Sequence, residues 1–145
     1  MKLHVNVIAV ASTLFLVAAA TGASATEIVV STGAFHGGPH APNDTASGGV
    51  ILVHLDSGKY ELRFGNDFKS VAGPDLFIYL SAAEDPKDDA TVAASAFVDA
   101  GALKALSGGQ SYMLPADFDP GKFKSVTVWC KRYSVLFAAA PLNGQ

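Results

Sequence analysis

Short runs of alternating apolar and polar residues, separated by turn residues, dominate the chain after its first 25 positions. Tyr60–Phe64 is the clearest run, because its three apolar side chains point to one side while Glu61 and Arg63 point to the other. Such alternation is typical of an antiparallel strand with one buried face. The preceding apolar run, residues 50–55, is separated from it by the turn residues 56–58, and the two runs together predict a hairpin.

Other runs predict further short strands. Residues 76–80 are apolar on both faces and predict a central strand that follows the turn sequence of residues 73–75. Residues 110–115 predict a strand that ends at a proline. Residues 91–106 are ambiguous, because their alanines suit a helix whereas Gly101 interrupts them. We expect irregular structure with one short strand there.

The last two apolar runs flank Lys131 and Arg132. If these two residues form a tight turn, the runs pair through one apolar face, which consists of Val126, Val128, Cys130, Tyr133, Val135 and Phe137. The turn chemistry disagrees, since two-residue hairpin turns favour Asn-Gly and similar pairs. One long strand with a bulge is the alternative. Either arrangement leaves Cys130 near a strand end.

In total, about seven to nine short strands with closely spaced turn signals indicate an all-β fold, an antiparallel β-sandwich or barrel. Alternation within the apolar runs predicts that six side chains share one core: Leu76, Ile78, Val126, Val128, Val135 and Phe137. The length fits a single domain.

The first 25 residues predict a signal peptide. A short basic start precedes an apolar stretch over residues 5–20, and Ala23-Ser24-Ala25 matches the small-residue pattern before a cleavage site. We expect the mature chain to begin at Thr26 and to be periplasmic or secreted, without a membrane anchor after cleavage. A retained N-terminal anchor is the alternative interpretation.

Charge excludes two classes of partner for the mature chain. The whole sequence has 10 basic and 13 acidic residues; without Lys2, 9 basic residues remain against 13 acidic ones, a net charge near −4. This balance does not indicate the basic surface that binds nucleic acid or anionic lipid.

The chain has one cysteine, Cys130, although exported proteins usually use cysteines in pairs. Three fates are open to it: a buried inert thiol, half of an intermolecular disulfide, or a reactive or ligating sulfur. Common hydrolase, phosphate-binding and zinc-protease motifs do not occur in the sequence, so a stand-alone enzyme is the weakest function class.

Four further residues are candidates for chemistry. His36 and His40 lie in a glycine-rich segment and could bind copper or zinc, with a nearby thiolate completing a blue-copper-like set. As the alternative, both are solvated loop residues. Asp75 is either a functional acid or an ordinary turn residue. Trp129 is either a packing residue or an electron relay beside Cys130.

Several segments taken together resemble the electron-transfer DM-thirteen domain family, namely residues 33–35, 62–64, 67–68, 73–81, 101–104, 110–115 and 125–137. The Gly-Pro-Asp-Leu block at residues 73–76 and the Val-x-Val-Trp-Cys block at residues 126–130 are the most specific. The resemblance implies an extracytoplasmic β-rich domain with a redox role, in which Cys130 is the redox-active or ligating residue. It also implies haem-containing or other redox proteins as partners, and copper or haem as candidate cofactors.

Two functions therefore compete. The first is an exported electron-transfer module that uses Cys130 as redox-active residue or as metal or haem ligand, with Asp75 and Trp129 in support. Under this hypothesis Lys131 and Arg132 would favour the reactive thiolate form. The alternative is an extracytoplasmic binding or adhesion sandwich in which Cys130 is a small buried hydrophobe.

Overall fold

The computed structural model describes residues 22, 25–41 and 45–144. The predicted signal peptide therefore lies outside the described residues, apart from Gly22 and Ala25, and the predicted cleavage site stays a prediction. Among the residues that the structure describes, no helix has both the length and the apolar character needed to cross a bilayer.

The described chain consists of β-strands and one short helix, α1 (Asp89–Ala94). In chain order the strands are β1 (Ile28–Ala34), β2 (His36–Gly37), β3 (Ala46–Ser47), β4 (Gly49–His54), β5 (Tyr60–Phe64), β6 (Lys69–Ser70), β7 (Leu76–Ser81), β8 (Phe97–Ala102), β9 (Gln110–Met113), β10 (Ser125–Cys130), β11 (Val135–Pro141) and β12 (Asn143–Gly144).

Two five-stranded sheets form the domain, with the strand orders β12-β1-β4-β5-β9 and β2-β11-β10-β7-β8. Strands β3 and β6 form a separate two-stranded sheet. Every pairing is antiparallel. Eight of the described strands have four residues or more, which confirms the predicted all-β fold. Because the described strands form two separate large sheets, neither of which closes on itself, the fold is a sandwich rather than a barrel.

The predicted hairpin over residues 50–64 is confirmed. Leu52 pairs with Leu62, and Leu55 donates a backbone hydrogen bond to Lys59 at 2.9 Å to close the turn. Gly58 has φ +80°, a backbone conformation that residues other than glycine rarely adopt. The turn sequence and the alternation therefore select the same register.

The predicted two-residue turn at Lys131 and Arg132 is wrong. The turn has four residues, 131–134, so Cys130 pairs with Val135 instead of Tyr133, whose side chain is 66% exposed. Lys-Arg lacks the preference for positive φ that a two-residue turn requires. The alternative of one long strand is also wrong, because β10 and β11 form a hairpin, although a bulge in β11 does shift their register.

Residues 91–106 contain the predicted short strand, β8, and also the last four residues of the helix α1, which our expectation of irregular structure missed. Asp88 is the N-cap, and its carboxylate accepts a 2.7 Å hydrogen bond from the backbone of Thr91. Val92 is buried against the second sheet. One capping residue and one buried contact suffice for a helix too short to show a periodic pattern.

The main core lies between the two large sheets. All six side chains predicted to share a core belong to it, although Val135 and Phe137 are only partly buried. A second cluster covers the opposite face of the second sheet, and it consists of Phe77, Tyr79, Val92, Trp129, Leu136 and Ala139. The two faces of this one sheet thus have different surroundings.

Candidate functional site

Cys130 ends β10, the central strand of the second sheet. Its side chain is 1% exposed and belongs to the core between the sheets, and it has no disulfide partner. Leu76 of β7 is its direct neighbour on one side and Val135 of β11 on the other. The position near a strand end is as predicted, but the sulfur is enclosed by apolar side chains.

An open cleft lies beside this strand end. We call it the Pro74 cleft; its volume is about 360 Å³, and it is lined by residues 72–77 with Ala102, Leu103 and Leu106. Leu76 lines the cleft and also opposes Cys130 across the sheet. Since directly opposed residues have Cβ atoms roughly 4.5–5.5 Å apart, Cys130 lies one side-chain layer behind the cleft wall.

The two most specific sequence blocks lie side by side, and residues of the first block line the cleft. The backbone N–H of Lys131 donates to the carbonyl oxygen of Asp75 at 3.0 Å, which joins the end of β10 to the turn before β7. Gly73 packs closely there: an added Cβ would lie 2.7 Å from Leu76 Cδ2 and 2.9 Å from Phe137 Cε2. Glycine at this position allows the turn to close over the end of the core.

Asp75 is half-buried and lines the Pro74 cleft. Its carbonyl group holds the β10 end, so the structure gives it the turn role that Gly-Pro-Asp sequences favour. A role for its carboxylate in redox chemistry stays a prediction.

Trp129 lies on the opposite face of the sheet from Cys130, because successive side chains of a strand alternate. We call its surroundings the aromatic face: Phe77, Tyr79, Phe97 and Trp129. Tyr79 stacks on Phe97 with centroids 4.3 Å apart and on Trp129 with centroids 6.3 Å apart. Phe97 is 50% exposed, so the stack reaches solvent. A shallow cavity of about 210 Å³ opens beside it.

The ammonium group of Lys131 also belongs to the aromatic face. Its Nζ lies 2.6 Å from Asp99 Oδ2 and 3.6 Å from the centroid of the Phe77 ring. The hydrogen bond to Asp99 raises the pKa of Lys131. Burial raises the pKa of Tyr79, while the nearby Lys131 charge lowers it. This ammonium is therefore held on the face away from the sulfur of Cys130, and it does not supply the thiolate-stabilising contact that the sequence suggests.

The two histidines contact carboxylates of the segment between β7 and α1 and of α1 itself. His36 Nε2 lies 2.6 Å from Asp85 Oδ1, and His40 Nε2 lies 2.8 Å from Asp89 Oδ2. Partial burial would raise the pKa of Asp85, but the hydrogen bonds from Lys87 and His36 outweigh it, so this pKa is lowered.

The structure does not bring the histidines and Cys130 together. His36 opposes Ala139, which in turn opposes Thr127, three residues along β10 from Cys130, or roughly 10 Å at the usual strand rise. Within residues 25–41 and 45–144, no group of three His, Cys, Asp or Glu side chains is arranged to share a metal ion. Metal binding by His36 and His40 stays a prediction.

The sequence did not reveal the cleft wall formed by Leu103 and Leu106 or the place of Phe97 in the aromatic face. All three residues lie in the segment that was ambiguous from its pattern. The exposed fraction of a side chain and its neighbours across the sheet depend on strand order, for which the sequence carries no local signal.

A protein-family model described as "Electron transfer DM13" matches residues 38–142 of this chain, well over half of its length. The matched range includes the Pro74 cleft, Cys130 and the aromatic face, and it begins after His36. No curated protein and no solved structure matches the chain.

Proposed function

We propose that this chain, which belongs to the electron transfer DM13 family, is an extracytoplasmic module that uses Cys130 as its redox-active or ligating residue. One observation carries the proposal: the Gly-Pro-Asp-Leu block lines an open cleft, and its Leu76 pairs across the sheet with Cys130 at the end of β10. The module acts with a separate redox protein, for which a haem protein is our first candidate.

The location of Cys130 supports access through the Pro74 cleft. Leu76 forms both the cleft wall and the cross-strand neighbour of the sulfur, so a shift of this one side chain would open a path to it. The thiol has no partner for an internal disulfide, and its surroundings are apolar. A buried sulfur is protected from indiscriminate oxidation, because oxidation follows exposure, and a docked partner that displaces Leu76 would reach it.

The experiment compares Cys130→Ala with Val128→Ala, which lies on the same strand and the same core face. Val128→Ala should cost about 1–3 kcal/mol through lost burial and cavity formation, yet it keeps the sulfur. The measurements are the visible spectrum during titration with copper or haemin and, for protein loaded with the reduced metal, the transfer of one electron from that metal to ferric cytochrome c.

We expect Val128→Ala to retain electron transfer or the ligand band and Cys130→Ala to lose it. If both variants behave as the parent, or if the parent shows neither activity nor a ligand band, the role of Cys130 is refuted.

Export is part of the same proposal. Its support is the apolar segment and the Ala23-Ser24-Ala25 pattern, followed closely by the first described strand at Ile28. We expect N-terminal sequencing and intact mass of the exported protein to give Thr26 as the first residue. Material from outside the cytoplasm that retains Met1 would contradict this.

A second candidate is favoured by the 1% exposure of Cys130, which is the usual state of an inert cysteine. Under this alternative the chain is a binding or adhesion module, and the solvent-facing aromatic face contacts the ligand. Cys130→Ala would then leave binding intact, whereas replacing Phe97 with Ala would weaken it.

A further inference from the structure

The first residues after the predicted cleavage site are held by the β4–β5 hairpin. The backbone nitrogen of Thr26 donates a 2.8 Å hydrogen bond to Asp56 Oδ2, in the turn between these strands. The carboxylate of Glu27 receives two hydrogen bonds from Arg63 of β5, at 2.7 and 2.8 Å. Arg63 also contacts Glu61. Charged side chains thus fix two consecutive residues at the start of the domain.

These contacts lie where β1 has least support. Strand β12 pairs only with Ser31 and Thr32 of β1, so the segment from Ile28 to Val30 has a described neighbour, β4, on one side alone. The side chain of Ile28 is 56% exposed. Because little of this end is buried, the polar contacts of Thr26 and Glu27 help to hold the residues before β1 against the hairpin.

We infer that Asp56 is a binding site for the α-ammonium group that cleavage after Ala25 creates on Thr26. The inference rests on the proposed export. Before cleavage, Thr26 offers Asp56 a single neutral amide N–H. After cleavage, the same atom carries a positive charge and three donors, and hydrogen bonds between charged partners are stronger than those from neutral groups. Processing therefore completes the anchoring of β1.

A mutant cycle tests this site with chains of defined starts, obtained by removing a cleavable tag. One chain begins at Thr26 and the other at Ala25, which restores an amide at Thr26 and moves the charge one residue away. Each is made with and without Asp56→Asn. The core lies wholly within residues that both chains keep. Melting temperatures at low ionic strength and hydrogen exchange of the Ile28 to Val30 amides are the measurements.

We expect the chain that begins at Thr26 to melt about 1–4 °C higher, as is typical of one exposed ion pair in a domain of this size. It should also exchange its Ile28 to Val30 amides more slowly. Both differences should vanish in the Asp56→Asn background and shrink in 1 M salt. Glu84→Gln removes an exposed carboxylate after β7 and serves as the control that leaves both differences unchanged.

Equal differences with and without Asp56→Asn, or no difference between the two starts, would overturn the capture of the new terminus by Asp56. The result is separable from that for export. A retained Met1 in exported protein would refute the cleavage step, and absence of the protein from the exported fraction would refute export, whereas loss of the dependence on Asp56 would refute only the binding of the terminus.

Discussion

The two faces of the second sheet differ although they share the same strands. On the inner face Cys130 lies with Val128 and Ile78 in the buried core between the sheets. On the outer face Trp129 and Tyr79 form a stack that reaches solvent through a half-exposed phenylalanine. Neighbours in the chain, Trp129 and Cys130, thus have entirely different surroundings.

This difference separates two roles. The inner face is held by packing and isolates the sulfur of Cys130. Leu76, the cross-strand neighbour of Cys130, lines the Pro74 cleft. The outer face combines aromatic rings with the ion pair of Lys131 and Asp99, and aromatic side chains are enriched at protein interfaces. Strand β10 contributes to both, with Val128 and Cys130 on the inner face and Trp129 on the outer one.

The largest expected effect contrasts the stability of the two faces. Ile78→Ala should lower the free energy of unfolding by about 2–5 kcal/mol, because it leaves a cavity in a fully buried layer. Phe97→Ala should cost no more than about 1.5 kcal/mol, because half of this ring is already exposed and only its stacking contact is lost. Denaturant unfolding measures both. Equal losses would show that the outer face is packed as tightly as the inner one.

The next prediction tests whether Cys130 is reached through the cleft. Leu76→Ala removes the side chain between cleft and sulfur, and it should raise the rate of alkylation of the folded protein about tenfold relative to Leu80→Ala. Leu80 lies on the same strand and the same face, and it opposes Val126 at the far end of β10. Rates with iodoacetamide give the comparison. If both variants react equally fast, labelling proceeds through global unfolding, and the inert cysteine is the better account.

A smaller effect concerns the two buried tyrosines. Burial raises the pKa of Tyr79 on the outer face and of Tyr112 in the main core. Phe97→Ala uncovers the Tyr79 ring, so the pKa of Tyr79 should fall toward the ordinary value of about 10, while that of Tyr112 should not change. Titration of the ring carbon resonances by NMR distinguishes them. A parallel change in Tyr112 would mean that the two faces are coupled.

The smallest effect concerns the helix that covers part of the outer face. Hydrogen bonds from the backbone and side chain of Thr91 lower the pKa of Asp88 below its ordinary 3.8. Its contribution to stability is therefore complete above pH 3.8 and is lost as the pH falls through the lowered pKa. Asp88→Ala should lower the melting temperature at pH 7.

That difference should narrow in strongly acidic solution, because the parent's Asp88 is then protonated as well. The control is Glu84→Ala, which removes an exposed acid from the same connection. An Asp88→Ala effect that stays constant with pH would show that the cap acts by packing rather than by charge.

The sequence itself determined several of the strands and which of their side chains face the main core. Alternation over Tyr60–Phe64 and within residues 126–130 is a short-range pattern, and burial of one face of a strand depends directly on it. The same short-range pattern predicted the shared core of Val126 and Val128, and the resemblance carried by the Gly-Pro-Asp-Leu block agrees with the family match.

Only the tertiary structure decided which residues surround each face of a strand. The four-residue turn after Cys130, the cleft behind Leu76 and the contact between Thr26 and Asp56 all join segments distant in the chain or depend on backbone geometry. Strand order and register fix such neighbours, and they are set by the packing of the whole domain. Alternation with a period of two residues predicts the face of the sheet on which a side chain lies. It does not predict which residue lies opposite it on the next strand.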